Sequence, residues 1–211
     1  MILQSFVNKK FNSNTFLIKS ANDHKDCYLI DIGNAEDVLQ AIEDDQCMKA
    51  IFLTHAHYDH VCGIHTILEQ YPQCIVFCSK YTQEALRDSK MNLSFYQQTS
   101  ITYKGKNIQI IDESSCIKLF EDLNLQILET PGHNEGCLTF KIGNAIFTGD
   151  SLIPHIPIVT KLKTGNKEKA TQSVLKIRNH IDSEAILYPG HGPSIVAKDI
   201  NWNFYLKNDR H

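Results

Sequence analysis

The sequence predicts an α/β fold, and three observations carry the prediction. The first third alternates apolar and polar residues in the strand manner, then breaks into stripes at helical spacing. Strand patterns return in the second half, where another helical stripe follows them. Four apolar runs of strand length also stop abruptly at short loops holding His or Asp, where open α/β sheets place their sites.

Taken in order, residues 4–7, 14–19 and 26–32 read as successive strands, the last ending Leu29-Ile30-Asp31-Ile32 before Gly33. Ala35, Val38, Leu39 and Ile42 then follow the i, i+3, i+4, i+7 pattern of a helix with one buried face. A strand at 50–53 leads into a histidine-rich loop, and a helix beginning near Val61 turns Ile64, Ile67 and Leu68 inward. Residues 74–78 form a further strand and 82–90 a helix. The stretch 92–105 is polar and aromatic with weak periodicity; lid and ordinary packed loop account equally for Phe95 and Tyr96. Strands resume at 108–111, 117–120, 123–128, 145–148 and 185–188. Between the last two, Ala170, Val174, Ile177 and Ile181 share one stripe of a helix over 167–181.

Composition narrows the function classes. A chain of 211 residues, 42% hydrophobic and 21% charged, suits one large domain or two small ones with a substantial core. Its net charge of −3 is spread over both signs, which leaves no footprint for nucleic acid or an anionic membrane. No basic region followed by an apolar core opens the chain, and no stretch approaches membrane-span length, so the cytoplasm is the expected compartment. The seven cysteines contain no Cys-x-x-Cys pair, against a disulfide framework or a thiolate metal site. Cys27, Cys74, Cys78 and Cys137 fall in or beside apolar runs, where a thiol acts as a small hydrophobe. Cys62 lies beside the histidines, either as a ligand or nucleophile or as a first-turn helix residue beneath them. His24, His65, His180 and His211 read as ordinary surface residues.

The chemistry concentrates in Thr54-His55-Ala56-His57-Tyr58-Asp59-His60, three imidazoles and a carboxylate within six positions. Such side chains bind divalent ions of borderline softness. Alternate residues of an extended loop share a face, so His55 and His57 converge on one point while Asp59 and His60 turn toward a second. Thr130-Pro131-Gly132-His133, Gly149-Asp150 and Pro189-Gly190-His191 repeat one grammar: an apolar strand, a glycine that permits a sharp turn, then a ligand-type side chain. Asp31, at a strand's carboxyl end, is expected to orient a ligand or cap a turn, with direct ligation as the alternative.

The motif His55-x-His57-x-Asp59-His60, followed by His133, Asp150 and His191 in that order, resembles the metallo-β-lactamase-fold superfamily. The flanking Thr-His-Ala-His-Tyr-Asp-His, Thr-Pro-Gly-His, Gly-Asp-Ser and Pro-Gly-His-Gly-Pro are most similar to its glyoxalase II-like branch, over roughly residues 1–195. The resemblance implies a four-layer αββα sandwich of two mixed β-sheets flanked by helices, as a single domain spanning 1–211. It further implies two divalent ions, zinc first, with iron or manganese also compatible. His55, His57 and His133 would hold one ion and Asp59, His60 and His191 the other, with Asp150 bridging. A shared hydroxide would attack the carbonyl of a small-molecule thioester or related acyl substrate, with Asp59 as the catalytic carboxylate.

Four departures bound that expectation. Asp150 stands where β-lactamases of this fold commonly carry Cys, which argues against antibiotic hydrolysis. Only twenty residues follow His191, so the C-terminal glutathione-binding helical region of two-domain glyoxalase II enzymes is not expected. Apolar residues 153–159 replace a glycine-rich turn, and His155 among them is a candidate substrate contact. Asn134-Glu135 likewise replaces the branch's commoner Thr-x. The alternatives are an iron-dependent persulfide dioxygenase-like enzyme, a lactonase or other ester hydrolase, and a metal-bound effector protein. The sequence does not fix the oligomeric state.

Overall fold

The computed structural model describes residues 1–21, 25–121 and 123–206; His24 and His211 lie outside the described residues. The chain forms two compact units, Met1–Ile111 and Asp112–His211, each built on its own six-stranded mixed sheet.

In the first unit the strands are β1 (Ile2–Val7), β2 (Asn14–Lys19), β3 (Asp26–Ile30), β4 (Cys47–Phe52), β5 (Ile75–Cys78) and β6 (Ile108–Ile110), side by side in chain order. β1, β2 and β3 pair antiparallel, whereas β3 through β6 run parallel. Parallel neighbours need crossovers, and these contain α1 (Ala35–Ala41), α2 (Tyr58–Val61) with α3 (Ile64–Gln70), and α4 (Lys80–Leu86). Leu17, Leu29, Ile51, Leu53, Val38, Val61, Ile64 and Ile67 form the fully buried centre of this unit's core. Asn34 caps α1 through Asp37 N, and Ser79 caps α4 through Thr82 N.

The second unit orders its strands β12 (Ile195–Val196), β11 (Ile186–Pro189), β10 (Ala145–Gly149), β9 (Leu138–Ile142), β8 (Leu123–Glu129) and β7 (Ile117–Phe120). Only β10 and β11 are parallel, and α5 (Lys167–Asn179) lies in the connection between them. Ala170, Val174 and Ile177 of α5 are buried as its stripe predicts, the last two in a core with Ile146, Leu152, Ala185 and Leu187. The short helix α6 (Trp202–Leu206) follows.

Several boundaries differ from the sequence reading for local reasons. β3 stops at Ile30 rather than running to residue 32, because Asp31 adopts φ +56° and turns the chain. The helix expected from Val61 is two short helices separated at Cys62-Gly63. The helix expected over 82–90 starts two residues earlier, under its serine cap, and ends at Leu86. Helix α5 ends at Asn179, short of Ile181. β9, β12 and α6 are additional elements; β9 had a signal, alternating residues before a Gly143-Asn144 hairpin turn. No helix among the described residues is long and apolar enough to cross a membrane.

Candidate metal centre

The first unit supplies the histidine loop from the end of β4, as predicted. His55 and His60 are completely buried and His57 nearly so. The His55 ring centroid lies 4.6 Å from that of His57 and 4.2 Å from that of His60. Three imidazoles are thus packed against one another, a costly desolvation unless each finds polar partners.

Asp31 provides part of that partnership. Its carboxylate accepts from Thr54 N and from Thr54 Oγ1, both at 2.7 Å, and from His60 Nδ1 at 2.8 Å. A carboxylate only accepts, so a proton sits on His60 Nδ1, and in the neutral ring Nε2 is the nitrogen with the lone pair. Thr54 Oγ1 has given its single proton to Asp31, so it accepts from His55 Nδ1, 3.1 Å away, and His55 is left in the same tautomer. Ligand-type atoms of Asp31, His55 and His60 lie within 4.8 Å of one another, a spacing that could hold a metal. Its three hydrogen bonds give Asp31 the orienting role instead.

The main chain of Asp59 is fixed by residues the sequence reading passed over. Ser13 Oγ donates to Asp59 O at 2.7 Å, and Gly33 N donates to Thr15 Oγ1 at 2.9 Å. Asn8 Nδ2 bonds the carbonyl of Gly33. A Cβ on Gly33 would lie 2.1 Å from Asp59 O, so only glycine lets these segments approach. The signal available was faint: polar Ser13 and Thr15 beside the apolar run of β2, where both prove fully buried. Cys62 Sγ contacts the same Gly33 carbonyl at 3.4 Å, and burial foremost, with Asp59 adding to it, pushes its thiol up. The packing role, not the nucleophile, fits a thiol held in its protonated form.

The second unit brings together its own three predicted ligands. Asp150 follows β10, with Oδ2 3.5 Å from His133 Nε2 and Oδ1 3.6 Å from His191 Nε2. One carboxylate therefore faces two imidazoles, one through each oxygen. His133 Nδ1 donates to the carbonyl of Val159 at 2.9 Å, which again leaves Nε2 as the ligand-type nitrogen. Ser173 Oγ of α5 donates to Pro131 O at 2.6 Å, and Asn166 N donates to Gly132 O at 2.8 Å, so the loop before His133 is tied to the helix start. The Asn134 departure also has a local reason: its Oδ1 accepts from Gly136 N at 2.8 Å and closes the turn into β9. His155 sits exposed in a turn bracketed by the Ile153–Ile156 bridge, with φ +64°. His65 is exposed and bonds Thr102 O at 3.0 Å, which ties segment 92–105 to α3.

The profile of the metallo-β-lactamase superfamily matches residues 8–191, a span containing all seven predicted ligands. The chain is 30% identical to the hydroxyacylglutathione hydrolase of Salmonella arizonae over 171 residues, 81% of this chain and 59% of that protein. The same enzyme of Hydrogenovibrio crunogenus is 27% identical over 179 residues, 84% of this chain and 58% of its own. The chain thus spans less than two thirds of the length of these curated relatives. In structure it is similar to BLEG-1 B3 metallo-β-lactamase, with a TM-score of 0.85 at 21% identity over 98% of this chain and 100% of the other. TTHA1623 in a di-iron-bound form gives a TM-score of 0.77 at 22% identity over 95% of this chain and 96% of the other. At that identity these likenesses carry the fold: two mixed sheets with flanking helices, as the sequence resemblance implied.

Proposed function

This chain belongs to the metallo-β-lactamase superfamily, and on that premise we propose that it is a dinuclear metal-dependent hydrolase acting on a thioester or related acyl compound. The observation that carries the reading is Asp150, whose two oxygens each face an imidazole Nε2 at 3.5 and 3.6 Å, the disposition of a carboxylate that bridges two ions. The donor set fits such a pair: His55 and His60 present Nε2 because their Nδ1 protons are engaged, and His133 does likewise.

In this reading residues 1–211 act as one hydrolase domain. His55, His57 and His133 hold the first ion, Asp59, His60 and His191 the second, and Asp150 spans both. When bound, two such ions supply hydroxide at neutral pH and polarise a carbonyl. All seven ligands are N or O donors, which suits zinc first and iron or manganese next. Asp59, its side chain 22% exposed where His60 is fully buried, orients the attacking water and takes its proton. His155 is assigned a contact with the substrate's non-reacting part. None of the seven cysteines is in a disulfide, in keeping with a reducing compartment, and we assign the cytoplasm.

The test starts with elemental analysis of protein purified without added metal, followed by a thioester panel read by thiol release. Close to two ions per chain, with turnover of at least one thioester, is the expected result. Asp59→Asn should then lower kcat by roughly 10²–10⁴. One iron per chain, with the second position empty after resupply, would replace this reading with oxygen chemistry on a persulfide. No metal after resupply overturns both.

A further inference from the structure

The segment between Asp150 and Asn166 holds His133 through the Val159 carbonyl, and Leu152 and Ile158 are its contacts with the core of the second unit. Its residues Pro157, Ile158 and Thr160 form one wall of a groove of about 1050 Å³, with the first turns of α5 and the Phe204-Tyr205 end of α6 opposite. Beyond Leu152 and Ile158, which reach the core, this strap borders the groove and hydrogen-bond tethers hold it in position. Thr148 Oγ1 donates to Leu152 O at 2.7 Å at its start, and Asn166 N donates to Gly132 O at 2.8 Å at its end. Between them Tyr205 Oη donates to Ile153 O at 2.6 Å, across 52 residues of chain. Ile156 N also donates to Ile153 O, at 3.1 Å, and further along the strap Val159 O accepts from His133 Nδ1 at 2.9 Å.

We propose that Tyr205 is a positioning residue for the metal centre: its hydroxyl fixes the strap so that the Val159 carbonyl holds His133 as the Nδ1–H tautomer, with Nε2 presented beside Asp150. This rests on the dinuclear reading above. The hydroxyl is suited to the task, since burial holds the Tyr205 phenol above its ordinary value and it stays a donor across the working pH range. Without that bond the strap can slide toward the groove, and a carbonyl displaced by a few tenths of an ångström loses its hold on the imidazole proton. Partners of this kind commonly change metal affinity by about 10–100-fold. Tyr205 acts at one remove, so the lower end is expected.

The test compares wild type with Tyr205→Phe, which keeps the ring and its packing. Zinc affinity is measured by chelator competition, and the His133 tautomer by long-range ¹⁵N–¹H correlation in the metal-free protein. Wild type should show His133 protonated at Nδ1; a proton on Nε2 overturns the proposal whatever the variant does. Tyr205→Phe should lose about tenfold in affinity for one ion and show mixed His133 tautomers. A lowered unfolding midpoint with affinity and tautomer unchanged would mean a structural role only and would also overturn it. Wild type that binds no metal defeats the dinuclear reading itself; wild type binding two ions as tightly as the variant defeats this proposal alone.

Discussion

Asp31 is a single side chain on which three donors depend, and each end of it does something different. Oδ1 holds Thr54 N at the start of the histidine loop, while Oδ2 holds Thr54 Oγ1 and His60 Nδ1. Replacement by Ala leaves buried donors without an acceptor, which costs about 1–3 kcal/mol for each group. Asp31→Asn separates stability from tuning. Its amide oxygen still accepts from Thr54 N, but its NH₂ meets His60 Nδ1 and forces the ring proton to Nε2, the nitrogen that the proposed metal centre requires free. Urea denaturation should find Asp31→Asn the more stable of the two variants. Chelator competition should find both weakened about 10–100-fold in metal affinity. Equal affinity for Asp31→Asn and wild type would remove Asp31 from the site's support.

At the level of elements, the position of each proposed ligand depends on how a strand ends. Beyond β4 the loop is fixed by β2 residues and Gly33, and beyond β8 by the start of α5. Gly132 is where the second arrangement is tightest. Its φ is +150° and a Cβ would lie 2.4 Å from Ala170 Cα, so a methyl group there strains the backbone and pushes α5 away. Gly132→Ala is expected to destabilise by about 2–6 kcal/mol, the sum of backbone strain and overpacking. The loss should be readable as a lowered denaturant midpoint and weaker metal retention in the same variant. A variant as stable as wild type would mean that the loop and α5 have room to separate.

Over the whole molecule, burial sorts the cysteines as it sorts the core. Burial pushes Cys27, Cys74 and Cys78 up to about 12, whereas Cys47 and Cys116 are exposed. The thiolate is the reacting species, so native protein at pH 8 should be alkylated at Cys47 and Cys116 alone among these five. Mass spectrometry after brief iodoacetamide treatment checks this, and the other three should react only in denaturant. Fast labelling of Cys27 would mean that the sheet of the first unit opens readily, since Cys27 lies in its core.

The sequence by itself determined the ligand-type side chains, their order and their place after strands, because these are local facts. His55 and His57 share a face through two-residue spacing, and an apolar run followed by glycine announces a turn wherever it occurs. It also determined the α5 stripe and the burial of four cysteines, since apolar periodicity records burial directly. Only the tertiary structure decided which nitrogen of His55, His60 and His133 carries the proton. His60 answers to Asp31 from 29 residues away and His133 to a carbonyl 26 residues away, and a backbone carbonyl has no side-chain signature to read. The same holds for Ser13, Thr15 and Tyr205, polar side chains whose partners are main-chain atoms brought close by folding. Identity is written along the chain; orientation is a property of contacts between distant segments, which exist only once the chain has folded.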